Sequence, residues 1–220
     1  MENYQRQFIK LALEYHALKF GAFTLKSGRV SPYFFNMGEF KSGFALQQLG
    51  LCYAQAIQQA KISQALAFDG LFGPAYKGIP LVVATAIGLN QVAKLDLPYS
   101  FNRKEAKTHG EGGHIVGAPL QGQVLIIDDV ITAGTAAKEA IDLIHAHGAK
   151  VAGLVVALDR QECAPEDPSR SAIQALTAQF KLPVISLVTL SDIIAYIQDS
   201  PDFKAYLPAI LSYQNQYGIK

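Results

Sequence analysis

Two adjacent carboxylates, Asp128 and Asp129, end the apolar run Val124-Leu-Ile-Ile127, and the turn Thr132-Ala-Gly-Thr135 follows them. The four apolar residues read as a buried strand. A helical pattern, AAKEAIDLIHAHG, begins directly after the turn. A strand, two acids, a small hydroxylic turn and a helix together form a cradle for a sugar phosphate. The turn exposes backbone N–H groups, and the helix N-terminus adds the positive end of its dipole. Gly134 lets the backbone approach a ligand closely. The acids cannot bind the phosphate themselves. They suit ribose hydroxyls, or a magnesium ion bridging a polyphosphate. A hydrophobic strand ending in Asp-Asp is also a common polar junction in α/β proteins, so the pair alone decides little. The whole run is much more specific.

Four further constellations carry charge or aromatic surface. Phe72-Gly-Pro-Ala-Tyr-Lys-Gly78 follows a strand. Its Gly-Pro turn with exposed N–H groups, and Lys77 near a helix start, suit a pyrophosphate. Equally, it is an ordinary strand–helix connection. Arg103, Lys104, Lys107 and His109 are followed by Gly110, Gly112 and Gly113. Charge runs are usually solvated loops. With glycine hinges, though, these cations could close over a leaving pyrophosphate, excluding water and strengthening each contact. Leu25 to Asn36 reads as an outlying hairpin whose Phe34 and Phe35 form a satellite core or a hood that stacks on a flat base. Lys26 could reach a phosphate or carboxylate. Arg160, after the strand VAGLVVA, matches a carboxylate with a bidentate fork. As a lone residue it equally suits a surface ion pair with Asp159 or Glu162.

The elements that must position these groups alternate. A helix is expected from about Asn3 to Phe20, with Gly21 as its stop, then two short strands around Ser27-Gly28-Arg29. A helix from about Ser42 to Ile62 precedes the main sheet. AFDGLFG, QVLIIDD, VAGLVVALDR and PVISLVTL read as strands. KGIPLVVATAIGLN, AAKEAIDLIHAHG and SAIQALTAQF read as helices, and two short helices close the chain from about Ser191. KLDLPYSFN leads into a glycine-rich lid loop at about 101–114. The alternation predicts an α/β fold with a mainly parallel sheet, helices on both faces and ligands at the carboxyl ends of the strands. One domain over residues 1–220 is expected, with the hood at about 1–40.

Half the residues are hydrophobic and the net charge is +1, a globular profile with no bulk field favouring nucleic acid or membrane. Cys52 and Cys163, the two cysteines, lack metal spacing, so a reduced, cytoplasmic protein is expected. No apolar run approaches the roughly 18 residues of a membrane span.

Taken together, LKSGRVSPYFFN, GPAYKGI, SFNRKEAK with HGEGG, and VLIIDDVITAGTA resemble the orotate phosphoribosyltransferases of the bacterial and fungal type, within the type I phosphoribosyltransferase family. The resemblance runs from the N-terminal helix to about Thr189. It implies the type I fold, and transfer of ribose 5-phosphate from 5-phosphoribosyl 1-pyrophosphate to orotate in pyrimidine synthesis. By position, Thr132 and Arg160 would hold orotate with the backbone of Phe34 and Phe35. Lys26, Tyr76 and Lys77 would contact the phosphoribosyl pyrophosphate. Asp128 and Asp129 would lie by its ribose, and Val130, Ile131, Thr132, Ala133, Gly134, Thr135 and Ala136 would form the phosphate turn. Arg103, Lys104, Lys107 and His109 would cover the pyrophosphate. Catalysis would fall to Lys107, Arg103 and His109 with Asp128 and Asp129. Magnesium would be the cofactor, held mainly by the pyrophosphate and reaching the protein through Asp128 or Asp129. The family's lid enters the neighbouring subunit's site, which implies a homodimer. Thr108 departs from the acidic residue expected there and bears on lid electrostatics. The competing readings are a phosphoribosyltransferase for another base, which Arg160 and the hood disfavour, and a non-catalytic sensor of phosphoribosyl pyrophosphate, which would not need the lid cations.

Overall fold

The apolar run after Gln123 forms β6 (Gln123–Ile127), the centre of a six-stranded sheet. Its side chains alternate between two cores. Leu125 and Ile127 join one cluster, while Val124 and Ile126 join the other. A strand covered on both faces needs no polar alternation, which is why four apolar residues stand in a row. A computed structural model of the chain describes all residues except 26, 108–112, 132–133, 165–168 and 220, and leaves aside the side chains at 106 and 107.

The neighbours of β6 are β3 (Gly70–Gly73) and β7 (Lys150–Asp159), with β4 (Tyr99–Lys107) beyond β3 and β8 (Val184–Thr189) beyond β7. These five strands are parallel. The edge strand β5 (Gly113–Gly117) is antiparallel to β4. Helices α1 (Asn3–Glu14), α2 (Gly43–Ser63) and α3 (Gly78–Ala93) contribute to the larger core, which includes Phe8, Leu49, Ile57, Leu71 and Leu89. Helices α4 (Thr135–Ala146) and α5 (Ala172–Phe180) cover the other face through Ile141, Ile144 and Leu176. The chain closes with α6 (Leu190–Gln198) and α7 (Leu207–Tyr217). Among the described residues, no helix is long and apolar enough to cross a membrane.

Two expectations change. The first helix ends at Glu14, not near Phe20, because Leu18–Thr24 is β1, paired antiparallel with β2 (Val30–Phe35). His16 at φ 56° makes the break. Local periodicity here yields to strand pairing, which is a tertiary effect. The expected loop at 101–114 is mostly hairpin: Phe101 pairs with Val116 and Asn102 with Ile115. The apolar Ile115 and Val116 give the returning strand its pairing surface.

Candidate active site

The acid pair sits where β6 leaves the sheet. The Asp128 amide donates to Val155 O at 3.0 Å, and the Ala157 amide donates to Asp129 O at 2.8 Å. Strand β7 therefore holds the acids' backbone. From the larger core, the fully buried Tyr53 on α2 donates its hydroxyl to Asp128 O at 2.7 Å. Asp129 Oδ1 accepts from its neighbour's Val130 amide at 2.8 Å, while its Oδ2 meets Lys77 Nζ at 2.7 Å. Asp128 is pushed up to about 7, first by burial and then by the adjacent Asp129 charge, against the opposing effects of the Asp129 amide and Lys77. The two neighbouring carboxyls are thus unlike: one is ion-paired, the other close to neutral pH.

Lys77 reaches Asp129 because the turn after β3 is tight. A Cβ on Gly73 would collide with the Gly78 carbonyl and Val82, and one on Gly78 would collide with Pro74. The Ala75–Tyr76 peptide is cis. The Ala75 amide donates to the Asn102 side chain at 2.8 Å, which ties this turn to β4. Tyr76 is exposed, and Lys104 Nζ lies 5.0 Å from its ring centroid. A cavity of about 410 Å³ opens between the turn, β4 and α4, lined by residues that include Ala75, Arg103, Lys104, His114 and Ala136. This brings the Gly-Pro turn, Arg103 and Lys104 of β4 and the start of α4 around one space. A larger cleft of about 450 Å³ lies at the opposite, amino ends of β3 and β6, lined by Asp69, Pro98 and Gln121. No candidate residue faces it.

Helix α4 starts at Thr135, with Gly134 as its cap at φ 76°. Among the described residues a Cβ there meets only Leu176 at 3.8 Å, and the left-handed backbone is what requires glycine. Val130 bridges Leu158 of β7. Thr132 and Ala133 of the phosphate turn lie outside the described residues, as do Lys26, Thr108 and His109. The backbone of Lys107 ends β4, and its side chain is outside them too.

Arg160 follows β7 and forms an ion pair with Glu162, Nη2 to Oε1 at 2.6 Å. This is one of the partners its position suggested, but the pair is not on the open surface. The Arg160 side chain is only 18% exposed. It lies 4.3 Å from the centroid of the Tyr33 ring and donates from Nη2 to Ser31 Oγ at 3.2 Å. Strand β2 of the hood therefore packs directly on Arg160. Phe34 is exposed, its ring tilted against Phe23 at 5.5 Å, whereas Phe35 packs on the larger core beside Phe8 at 6.0 Å, so the two rings do not form a separate satellite core. Asn102, His114, Tyr53, Ser31 and Tyr33 were missed by sequence reasoning. Asn102, Ser31 and Tyr33 lie inside the sequence motifs and His114 closes the 101–114 segment, whereas no local pattern marks Tyr53.

No cluster of three or more metal-ligating side chains occurs among the described residues. Asp128 and Asp129, both nearly buried at a strand end, are hard oxygen donors that suit a magnesium ion held chiefly by a polyphosphate. Burial pushes the Cys52 thiol up to about 12, which makes it inert as a nucleophile.

The phosphoribosyl transferase domain model matches residues 54–181. The chain is 55% identical to an orotate phosphoribosyltransferase of Pseudomonas putida over all of both chains. It is equally similar, at 55% over all of both chains, to one of Stutzerimonas stutzeri. The fold matches a crystal structure of orotate phosphoribosyltransferase from Francisella tularensis with a TM-score of 0.83 and 42% identity, covering 96% of this chain and 98% of that one.

Proposed function

The chain belongs to the orotate phosphoribosyltransferase family, and from that premise we propose how it transfers ribose 5-phosphate from 5-phosphoribosyl 1-pyrophosphate to N1 of orotate. It is a pentosyltransferase of pyrimidine biosynthesis. The observation that carries the reading is the 2.7 Å contact between Lys77 and Asp129. It joins the turn suited to pyrophosphate with the acids suited to ribose.

The C1–O bond to pyrophosphate breaks, leaving positive charge on the ribose ring and negative charge on the leaving group. Orotate N1 attacks C1 from the opposite face and loses its proton, giving orotidine 5′-monophosphate and pyrophosphate. Side chains assist by position and charge, not by covalent attack. The turn from Val130 to Ala136 holds the 5-phosphate, with Thr132, Ala133, Gly134 and Thr135 at its centre. Asp128 and Asp129 take the ribose hydroxyls. Lys26, Tyr76 and Lys77 bind the pyrophosphate side, and Arg103, Lys104, Lys107 and His109 close over it. Magnesium bound to the pyrophosphate would neutralise its developing charge and meet the protein through Asp128 or Asp129. Thr132, Arg160 and the backbone of Phe34 and Phe35 hold orotate. The active form is a homodimer whose lid, at about 101–114, serves the partner's site. Free Cys52 and Cys163 fit a cytoplasmic enzyme.

The test is consumption of orotate by the purified protein with phosphoribosyl pyrophosphate and magnesium. Equimolar orotidine 5′-monophosphate and pyrophosphate are expected. Turnover with a purine or uracil but not with orotate would overturn the assignment of the base.

A further inference from the structure

Glu162 lies two residues beyond Arg160, and no motif gives it a role. Its Oε1 accepts from Arg160 Nε at 2.8 Å and from the Tyr33 hydroxyl at 3.1 Å. The same oxygen lies 2.6 Å from Arg160 Nη2. Its Oε2 faces Arg29 Nη1 at 3.9 Å. These contacts, with the Tyr33 ring below and Ser31 at Nη2, fix the plane of the guanidinium and occupy its Nε–Nη2 edge. Arg160 donates from Nε and Nη2, and the buried Tyr213 lies beside both Arg160 and Glu162. The segment that carries Glu162 is itself braced by the end of the chain. The Cys163 amide donates to Tyr217 O at 2.7 Å and the Ile219 amide to Gln161 O at 3.0 Å. Arg29 Nη1 donates to Cys163 O at 3.1 Å, with its guanidinium 4.8 Å from the Tyr217 ring centroid.

Among the described residues of this cluster, Arg29 and Arg160 are positive and Glu162 is negative, and all three side chains are less than one-fifth exposed. One anionic ligand would bring these three to neutrality. Burial works against the charged guanidinium, but Tyr33 and Glu162 outweigh it and hold Arg160 above its ordinary range.

We propose that Glu162 is a positioning residue for base recognition: its carboxylate clamps the Nε–Nη2 edge of Arg160 so that the Nη1 end meets the carboxylate of the pyrimidine. This rests on the reading of Arg160 as the orotate-binding arginine. A long arginine left unheld would lose its rotamer freedom on binding; here that ordering is complete before the ligand arrives. The rival role is competition, in which Glu162 is an internal carboxylate that the substrate must overcome.

Steady-state kinetics of the full chain with both substrates varied separate the two. Glu162→Ala and Glu162→Asp should raise the KM for orotate about tenfold or more, as losing the orienting partner of a binding group does. The KM for phosphoribosyl pyrophosphate should stay within about twofold and kcat within about threefold. Glu162→Gln, whose amide oxygen can accept the same bonds, should recover most of the orotate affinity. Position, not charge, is then what matters. If Glu162→Gln binds orotate more tightly than wild type, or if Glu162→Asp behaves as wild type, the proposal is wrong. It is also wrong if all three leave the orotate KM unchanged. Should Glu162→Ala fail to fold by circular dichroism, the Asp and Gln variants, which keep most of the side-chain volume, decide alone. Arg160→Lys serves as the control on the underlying reading. An unchanged orotate KM there would remove Arg160 from the base site. A raised one beside a flat Glu162 series would remove only the positioning role.

Discussion

Asp128 and Asp129 are neighbours in sequence but do different electrostatic work. Asp129 spends one oxygen on Lys77, whereas Asp128 is buried and pushed up to about 7 from an ordinary 3.8. In that interval the folded state binds more protons than the unfolded chain, so this group makes wild-type stability fall as pH rises from about 4 to about 7. Asp128→Asn keeps the shape and removes the titration. Its melting temperature should match wild type near pH 4 and exceed it above about pH 7, by about 2–4 °C for each kcal/mol relieved. A difference that does not change with pH would show that the Asp128 carboxyl is not perturbed. Lys107 makes a second prediction at this scale. If its cation meets the departing pyrophosphate only as charge develops, Lys107→Ala should lower kcat about 100-fold while orotate affinity changes little. Turnover near wild type would remove Lys107 from the lid's action.

Among the elements, α2 and α3 pack backbone to backbone at two glycines, Gly50 and Gly88. A Cβ on Gly88 would collide with the Gly50 carbonyl, and one on Gly50 with the Ala84 carbonyl. Alanine gains about 1 kcal/mol over glycine in a helix, but overpacking costs about 1–3 kcal/mol, and rigid backbone puts the cost at the upper end. Gly88→Ala should therefore lower the melting temperature by several degrees. Gly43→Ala, in the first turn of α2 with nothing within 4 Å, should raise it slightly. A neutral Gly88→Ala would mean that the two helices can part without loss. The contrast shows what the sequence could reveal. The VLII run, the acids, the Gly-Pro turn and the strand–helix alternation were legible because each is a local pattern. The early end of α1 was not, since β1 forms only by pairing with β2. The contact of the Tyr53 hydroxyl with Asp128, and those of Ser31 and Tyr33 with Arg160, were equally hidden. They join positions 75, 129 and 127 residues apart, and no local pattern marks such a meeting. That the Arg160–Glu162 pair is buried, and not on the surface, is likewise something only the fold supplies.

For the whole molecule, the lid's proposed reach into a partner's site has a consequence that no single-chain property shares. Lys107→Ala and Asp129→Asn should each be nearly inactive alone. After subunit exchange of equal amounts, half the dimers are hybrids with one intact site in two, so about a quarter of wild-type activity should return. No recovery after proven exchange would place the lid over its own chain's site. In the proposed reaction one ligand bridges two regions: a ribose phosphate on the turn after β6, and an acidic pyrimidine against Arg160 after β7. A crystal structure with orotidine 5′-monophosphate measures this directly. The 5′-phosphate should accept hydrogen bonds from the backbone between Thr132 and Thr135, and the base carboxylate should lie within hydrogen-bond reach of Arg160. A nucleotide bound elsewhere, or one whose carboxylate points away from Arg160, would contradict it.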